Sequence, residues 1–355
     1  MIAVVDEAKR IRDGVVAAVS MPLSELLPPT DLVAVTGDVS GELQRFQSLL
    51  ADYPNRPGKG IRGRLLLLSA KAHGAQPATA GAAAATTLAE ALELFQNWVL
   101  VHDDIEDDSD ERRGAPALHK VTGMPVALNV GDAMHVAMWR LLHTLPADGG
   151  YDRAAVLDEF SRMIMHTAAG QHLDLAWVTQ RRFDVTEPDY LAMVSLKTAY
   201  YTVVSPLRLG ALAAGVSPAM ELEAAGLDLG VAFQIRDDVL NLTEGAELGK
   251  EFAGDLYEGK RTLMLAHLLA AVNAEQRRRV VALLDQPRSA KLEEQMLEVL
   301  SLMRQHGSLE YAQSVAEARL RSGLQQLEGA LDGLPDSDSA ARILELVRGL
   351  AARPN

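Results

Sequence analysis

The chain has 355 residues, of which 48% are hydrophobic, and it carries a formal net charge of −14 with no cysteine. It is long enough to bury a substantial core, and the missing thiols exclude a disulfide scaffold, a thiolate nucleophile and a zinc–thiolate site. The strong acidity argues against nucleic acid and anionic lipid surfaces as partners.

Residues 1–38 are expected to form an N-terminal extension. The opening run, "MIAVVDEAKRIRDGVVAAVS", mixes acids and bases with short apolar stretches, so it matches neither a secretory signal nor an Arg-rich transit peptide. The chain contains no run of about 18 uncharged apolar residues, so no membrane-spanning helix is expected. The lack of cysteine fits a reducing cytoplasm, and we expect a cytoplasmic location.

Helical patterns dominate the chain. Residues 79–104 are rich in Ala and Leu, residues 161–180 repeat apolar side chains three and four positions apart, and residues 289–307 end in a glycine stop. The run "YYTVVS" at 200–205 is strand-like, but it sits inside a longer helical pattern. The amphipathic helices expected in residues 274–355 carry no recognisable chemistry and are expected to pack or to support a dimer.

The first motif with chemical content is "VHDDIEDDSDERRG", residues 101–114. On a helix Asp103 and Asp107 lie one turn apart on the same face, and so do Asp104 and Asp108. Because like charges at this spacing repel, the pattern predicts a cation beside them. Taken alone, an acidic run at a helix end is typical of a solvated face.

A second motif, "FQIRDDVLN" at residues 233–241, places Asp237 and Asp238 one helical turn before Asn241. Oxygen ligands without His or Cys suit Mg²⁺ or Mn²⁺ rather than zinc. Basic residues follow each motif, and Arg and Lys are the side chains that bind phosphate oxygens; they are Arg112, Arg113, Lys250 and Lys260. Carboxylates, metal and cations together predict a diphosphate site.

Two other motifs strengthen this interpretation: "GKGIRGR" at residues 58–64 and "LKT" at residues 196–198. "GKGIRGR" lacks the glycine spacing and the Ser/Thr of a Walker A loop. The acidic runs also lack the alternating ligands of a calcium-binding EF-hand loop.

The segments "GKGIR", "DDIEDDSDERRG", "GQHLD", "LKT", "FQIRDD" and "GKEFAGDLYEGK" occur in one order, which resembles that of the trans-prenyl diphosphate synthases over roughly residues 55–270. The resemblance implies a single all-α domain, residues 1–355, built as an isoprenoid synthase-type helical bundle around a deep central cavity. It implies a homodimer and a head-to-tail (1'-4) condensation of isopentenyl diphosphate with an allylic diphosphate.

The resemblance also assigns roles to residues. Six carboxylates would bind Mg²⁺, or Mn²⁺ in its place, with three ions when substrate is bound: Asp103, Asp104, Asp107, Asp174, Asp237 and Asp238. Four cations would bind the allylic diphosphate: Arg112, Lys197, Lys250 and Lys260. Isopentenyl diphosphate would be held by Lys59, Arg62, Gln96 and Arg113. Thr198 and Gln234 would orient oxygen atoms toward the allylic cation, and the released pyrophosphate would take the proton.

Two positions depart from the common pattern of the family. Many members carry a third Asp at the position of Asn241, whereas animal and fungal geranylgeranyl diphosphate synthases also have Asn there. Gln96 stands where many bacterial members have His. The first motif also lacks the two-residue insertion of typical bacterial farnesyl enzymes, which argues against a farnesyl synthase of that type.

Product length is expected to depend on the helix that leads into Asp103. Phe95, Trp98 and Val99 lie one to two turns before that residue, and one turn rises about 5.4 Å, comparable to one isoprene unit. An aromatic residue at position 98 with a small one at position 99 resembles some C20 enzymes, so geranylgeranyl diphosphate is the expected product. The alternatives are farnesyl or longer products, a Trp98 that faces away from the cavity, a terpene cyclase or head-to-head synthase, and a catalytically silent subunit.

Overall fold

The computed structural model describes residues 2–26, 37–243 and 252–351. Helices make up nearly all of this structure, which confirms the all-α prediction. In the first half they are α1 (Ile2–Val19), α2 (Leu23–Leu26), α3 (Gly37–Leu50), α4 (Asp52–Asn55), α5 (Ile61–Ala72), α6 (Ala80–Glu106), α7 (Leu118–Thr122), α8 (Met124–His143) and α9 (Arg153–Thr179).

The second half of the chain is also mainly helical, and it includes a π-helix and a 3₁₀ turn. The elements are α10 (Glu187–Val194), a π-helix (Ser195–Val204), α11 (Ser205–Ala213), α12 (Met220–Asn241), α13 (Gly254–Glu258), α14 (Leu263–Ala271), α15 (Ala274–Leu284), a 3₁₀ turn (Arg288–Ala290), α16 (Glu293–Gln305), α17 (Ser308–Leu331) and α18 (Ser337–Ala351). None of the described helices is long and apolar enough to cross a membrane.

Two of the long helices, α6 and α9, begin at side-chain caps that the sequence supplies. The hydroxyl of Thr79 accepts from the backbone N–H of Ala82 at the start of α6, and the Asp152 carboxylate accepts from two N–H groups at the start of α9. Helix α6 ends where Asp108 adopts a positive φ of 52°. The acidic motif therefore spans the last turn of α6 and the chain that leaves it.

Hydrophobic packing joins both ends of the chain to the rest. Ile11, Val15 and Val19 of α1 are buried in the core that surrounds α6 and α8. Ile343 and Val347 of α18 are buried in a second core with α5, α12 and α17. Burying such side chains contributes about 1.5–3 kcal/mol each, so the two terminal helices are integral to the fold.

Two local features differ from simple α-helix. A two-stranded hairpin, Glu111–Arg112 with Ala115–Pro116, begins inside the acidic motif and was not predicted. The strand-like run at 200–205 lies almost entirely in the π-helix, as the helical pattern around it predicted. Gly170 of α9 and Gly230 of α12 border this π-helix, and a Cβ at either position would overlap the backbone of Lys197 or Ala199. These glycines let α9 and α12 close on the π-helix from two sides.

Candidate active site

A cavity of about 500 Å³ lies among α5, α6, α9, the π-helix and α12. Along α6 its lining changes from apolar side chains to carboxylates within two turns. The apolar lining comprises Phe95, Trp98, Val99, Ile164, Ala168, Met193, Val194 and Phe233. The charged lining includes Asp103, Asp107, Asp174, Lys197, Asp237 and Lys260. One cavity therefore offers a charged region beside an apolar one.

The charged region is built around two lysines that face three carboxylates. Lys197 Nζ lies 2.6 Å from Asp174 Oδ2 and 3.5 Å from Asp103 Oδ1. Lys260 Nζ is hydrogen-bonded to Asp107 and lies 3.7 Å from Asp174 Oδ2. Lys197, Lys260 and the aspartates come from four separate elements, so tertiary packing assembles the cluster.

Burial and charge act in opposition on these groups. Burial alone would lower the pKa of Lys197, but the carboxylates of Asp174 and Asp103 raise it overall. Burial raises the pKa of Asp107, with Lys260 opposing the shift, whereas both lysines hold the pKa of Asp174 below its usual value against the effect of burial. The lysines therefore stay protonated at neutral pH.

Asp104 occupies a different place from its neighbour Asp103. Its side chain is fully buried, accepts hydrogen bonds from the Tyr53 hydroxyl and from Arg112 Nε at 2.8 Å, and does not line the cavity. This position does not suit the metal-ligand role predicted for Asp104. Its carboxylate instead fixes the guanidinium of Arg112, which lines the cavity and reaches Asp103 Oδ2 at 3.3 Å.

The second motif contributes two carboxylates, Asp237 and Asp238, and both line the cavity. Asp238 accepts hydrogen bonds from Gln234 Nε2 and from the Tyr190 hydroxyl, each at 2.7 Å. Burial raises the pKa of Asp238 to about 6. The Thr198 hydroxyl donates to Gln234 Oε1 at 2.9 Å. A chain of hydrogen bonds thus fixes the amide of Gln234 between Thr198 and Asp238.

Asn241, the departure in the second motif, holds the segment that carries Lys260. Its side-chain oxygen accepts from the backbone N–H of Asp255 at 3.1 Å, and its backbone carbonyl accepts from that of Ala253. The backbone N–H of Lys260 in turn donates to the Asp255 carbonyl at 2.9 Å. Asn241 therefore links α12 to α13 through its side chain.

The residues predicted to bind the second diphosphate are only partly brought together. Arg62, Gln96 and Arg113 line the cavity, whereas Lys59 is exposed and does not. The Arg62 guanidinium donates to Thr202 Oγ1 at 3.1 Å and lies 4.4 Å from the ring centroid of Tyr201. Lys250, predicted for the allylic site, lies outside the described residues.

The electrostatics of this corner favour an anion. Burial lowers the pKa of Arg113, and the neighbouring charges of Arg62 and Arg112 lower it further, although Glu93 opposes them. Guanidinium groups crowded in this way are stabilised by a bound anion such as phosphate. Arg62, Gln96 and Arg113 can therefore hold one.

All three predicted chain-length residues line the cavity. The Trp98 ring stacks on His135 with centroids 4.1 Å apart and meets the Phe95 ring edge-on at 5.6 Å. Phe95 in turn meets Tyr201 edge-on at 5.8 Å. Phe95, Trp98 and Tyr201 thus form a connected aromatic group in the apolar region.

Carboxylate oxygens are the donors that this cavity offers to a divalent cation. Among the described residues, no group of three or more His, Cys, Asp or Glu is arranged to hold a metal ion. Asp103 and Asp107 on α6 and Asp237 on α12 nevertheless offer carboxylate oxygens to one cavity. Mg²⁺ commonly binds through one or two carboxylates together with substrate phosphates. The residues therefore fit Mg²⁺ that is shared with a diphosphate.

Sequence reasoning missed several residues that the fold brings to this cavity. Tyr190, Tyr201, Glu258, Arg261 and Arg288 all line it. Tyr201 could have been suggested by its place four residues after Lys197 in a helical segment. Glu258 stands inside the motif "GKEFAGDLYEGK" and Arg261 follows it, so their proximity to Lys260 could have suggested both. Tyr190 lies seven residues before Lys197, and Arg288 comes from a distant part of the chain without a motif of its own.

Comparison with known proteins finds a matching family and related synthases. The family model described as Polyprenyl synthetase matches residues 43–303. A short chain isoprenyl diphosphate synthase of Methanothermobacter thermautotrophicus is 34% identical over 76% of this chain and 80% of its own. A geranylgeranyl diphosphate synthase of Sulfolobus acidocaldarius is 31% identical over 81% and 86%.

A solved structure agrees in fold. The geranylgeranyl pyrophosphate synthase of Corynebacterium glutamicum, complexed with isoprenyl diphosphate and magnesium, superposes with a TM-score of 0.80. It is 26% identical, and the match covers 98% of each chain. The prediction of an isoprenoid synthase-type helical bundle is confirmed.

Proposed function

The chain belongs to the polyprenyl synthetase family and is a trans-prenyltransferase, and we propose that its product is geranylgeranyl diphosphate. It would join isopentenyl diphosphate head to tail to an allylic diphosphate and release pyrophosphate. The observation that carries this proposal is the cavity in which Asp103 and Asp107 face Lys197 and Lys260, beside the apolar wall of α6. The two regions match the diphosphate and the prenyl tail of one substrate.

The first task of the site is to stabilise the leaving diphosphate. When bound, Mg²⁺ would neutralise charge on the departing oxygens, and the related synthase of C. glutamicum is complexed with isoprenyl diphosphate and magnesium. Asp103, Asp107 and Asp237 would hold it. Lys197 and Lys260 would exchange their aspartate partners for phosphate oxygens, which is a charge-assisted contact of the same kind.

The second task is to protect and direct the allylic cation formed when the C–O bond breaks. Thr198 and Gln234 line the cavity beside Lys197, and their oxygens would face the positive carbon. The apolar wall would exclude water from it. The double bond of isopentenyl diphosphate would attack that carbon to form the new C–C bond and a tertiary cation. This cation would then lose an adjacent proton to the released pyrophosphate, which forms the new double bond. No protein base is needed.

We place the second diphosphate against Arg62, Gln96 and Arg113. These side chains line the cavity and belong to a corner that favours an anion. Lys59 remains a predicted fourth ligand, and this role requires its exposed side chain to turn toward the cavity. Neutral replacement of Arg113 should raise the KM for isopentenyl diphosphate more than the KM for the allylic substrate.

The C20 product rests on Trp98 and Phe95, which line the apolar region one to two turns from Asp103. Farnesyl and longer products are the alternatives. We also propose a homodimer, since α8 and α9 expose apolar side chains that a second copy could cover. They are Met124, Leu128, Val136 and Met165.

The proposal is tested by incubation with labelled isopentenyl diphosphate, Mg²⁺ and, separately, dimethylallyl, geranyl and farnesyl diphosphates. Product length is read after dephosphorylation. We expect a C20 product that disappears with EDTA and in the Asp103→Asn variant. A folded wild-type protein that incorporates no label with any starter would instead favour a cyclase or a catalytically silent subunit.

A further inference from the structure

Arg288 is a cavity residue that belongs to the C-terminal part of the chain. It begins the 3₁₀ turn Arg288–Ala290, yet its side chain lines the same cavity as Asp103 and Lys260 and is 20% exposed. Its guanidinium forms ion pairs with Asp110 Oδ2 at 3.6 Å and with Glu258 Oε1 at 3.5 Å. Asp110 lies in the acidic motif and Glu258 ends α13, so Arg288 bridges two sides of the charged region.

The turn that carries Arg288 is fixed to the segment that carries Lys260. Three residues after Arg288, the buried Lys291 donates from Nζ to the carbonyls of Leu256 and Tyr257 at 2.9 and 2.8 Å. These carbonyls lie at the C-terminal end of α13, where a positive charge is favourable. Because Lys260 follows α13 by two residues, the position of Arg288 is set relative to that of Lys260.

The pairings of Arg288 differ from those of the other cavity arginines. Arg112 donates to the buried Asp104, and Arg261 donates to the backbone carbonyls of Arg182 and Trp177. The ion pairs of Arg288 with Asp110 and Glu258 are longer than a direct hydrogen bond. The Asp110 side chain is 60% exposed, and an ion pair that solvent reaches in this way contributes little, about 0–1 kcal/mol, so a diphosphate oxygen can replace the Asp110 carboxylate.

From this placement we propose that Arg288 is a further diphosphate-binding residue, which contacts the allylic diphosphate and the pyrophosphate formed from it. The inference rests on the proposed function, because it takes the ligand of the charged region to be a diphosphate. A guanidinium can bind two phosphate oxygens at once. When Arg288 turns to the ligand, Glu258 keeps Lys260 as a neighbour at 3.6 Å, so its carboxylate is not left without a positive charge.

The test measures binding directly. Calorimetric titration of the full-length protein with inorganic pyrophosphate in the presence of Mg²⁺ compares the wild type with Arg288→Ala and Arg288→Lys. We expect the Kd to rise about 10- to 100-fold in Arg288→Ala, because a charge-assisted hydrogen bond is lost, and to rise less in Arg288→Lys. Arg279→Ala is the matched control, since it removes an exposed ion pair with Glu298 in the same helical region.

Steady-state kinetics separate binding from a general loss of structure. In Arg288→Ala the KM for the allylic diphosphate should rise at least about 10-fold, while the KM for isopentenyl diphosphate stays unchanged. A parallel rise in both KM values, or an unchanged Kd for pyrophosphate, overturns the assignment. Arg288→Gln serves the same comparison if the alanine variant does not fold. A wild type that fails to bind pyrophosphate with Mg²⁺ would instead contradict the proposed function itself.

Discussion

Replacing Trp98 with leucine is expected to lengthen the product by one isoprene unit. Trp98 lies five residues before Asp103 on α6, which is about 7.5 Å along the axis at about 1.5 Å per residue. Phe95 lies eight residues before it, at about 12 Å. The difference of about 4.5 Å is close to the length of one isoprene unit, so Phe95 becomes the next barrier. A C20 product should become C25.

The assay is chain-length analysis of dephosphorylated products formed from farnesyl diphosphate and labelled isopentenyl diphosphate. Trp139→Leu is the matched control, because Trp139 donates its indole N–H to the same His135 at 2.8 Å but does not line the cavity. Both variants should lose similar stability, about 1–2 kcal/mol. An unchanged product in Trp98→Leu, or an equal shift in the control, refutes the assignment of Trp98 as the barrier.

Three further predictions concern buried polar groups. Tyr190→Phe removes the hydroxyl that Asp238 accepts from, so kcat should fall about 10-fold with little change in KM, and more allylic substrate should be hydrolysed to alcohol. Burial raises the pKa of Glu258 from 4.5 to about 7, so Glu258 keeps its proton to a higher pH in the folded state than in the unfolded state. The unfolding free energy should therefore fall as the pH rises from about 4.5 to about 7, and urea denaturation should show the stability of Glu258→Gln relative to wild type rising by about 1–3 kcal/mol as the pH rises through this range. Asp104→Ala leaves Arg112 buried without its partner and should cost about 3–5 kcal/mol of stability.

Each of these predictions has an outcome that would contradict it. An unchanged kcat in Tyr190→Phe would mean that the Gln234 amide does not depend on this hydrogen bond. A difference between wild type and Glu258→Gln that does not vary with pH would mean that Glu258 titrates normally. Asp104→Ala should lose stability, whereas Asp103→Asn should keep its stability and lose activity; the reverse pattern would restore Asp104 to the metal site.

Helical periodicity predicted one of the two carboxylate pairs in the acidic motif. The pairing of Asp103 with Asp107 follows from a spacing of four residues, and the structure places both in the cavity. The same reasoning failed to place Asp104, because its environment is set by Tyr53, which lies 51 residues away. Local spacing carries no information on such contacts.

Other site features depend on packing between distant segments. Asn241 could be recognised as a departure from the family pattern, but its hydrogen bond to Asp255 depends on the path of the chain between α12 and α13. Arg288 follows the motif-bearing core, and its sequence surroundings resemble an ordinary helical region. The fold class was readable from composition and period, whereas the neighbours of each charge required the tertiary structure.

The most direct test of the central claim is the stoichiometry of the reaction. Purified protein with Mg²⁺, farnesyl diphosphate and isotopically labelled isopentenyl diphosphate should release one pyrophosphate for each labelled unit found in the product by mass spectrometry. Elongation predicts this one-to-one ratio and a C20 product. Pyrophosphate released without incorporation of label, or no release at all from folded protein, would contradict the account.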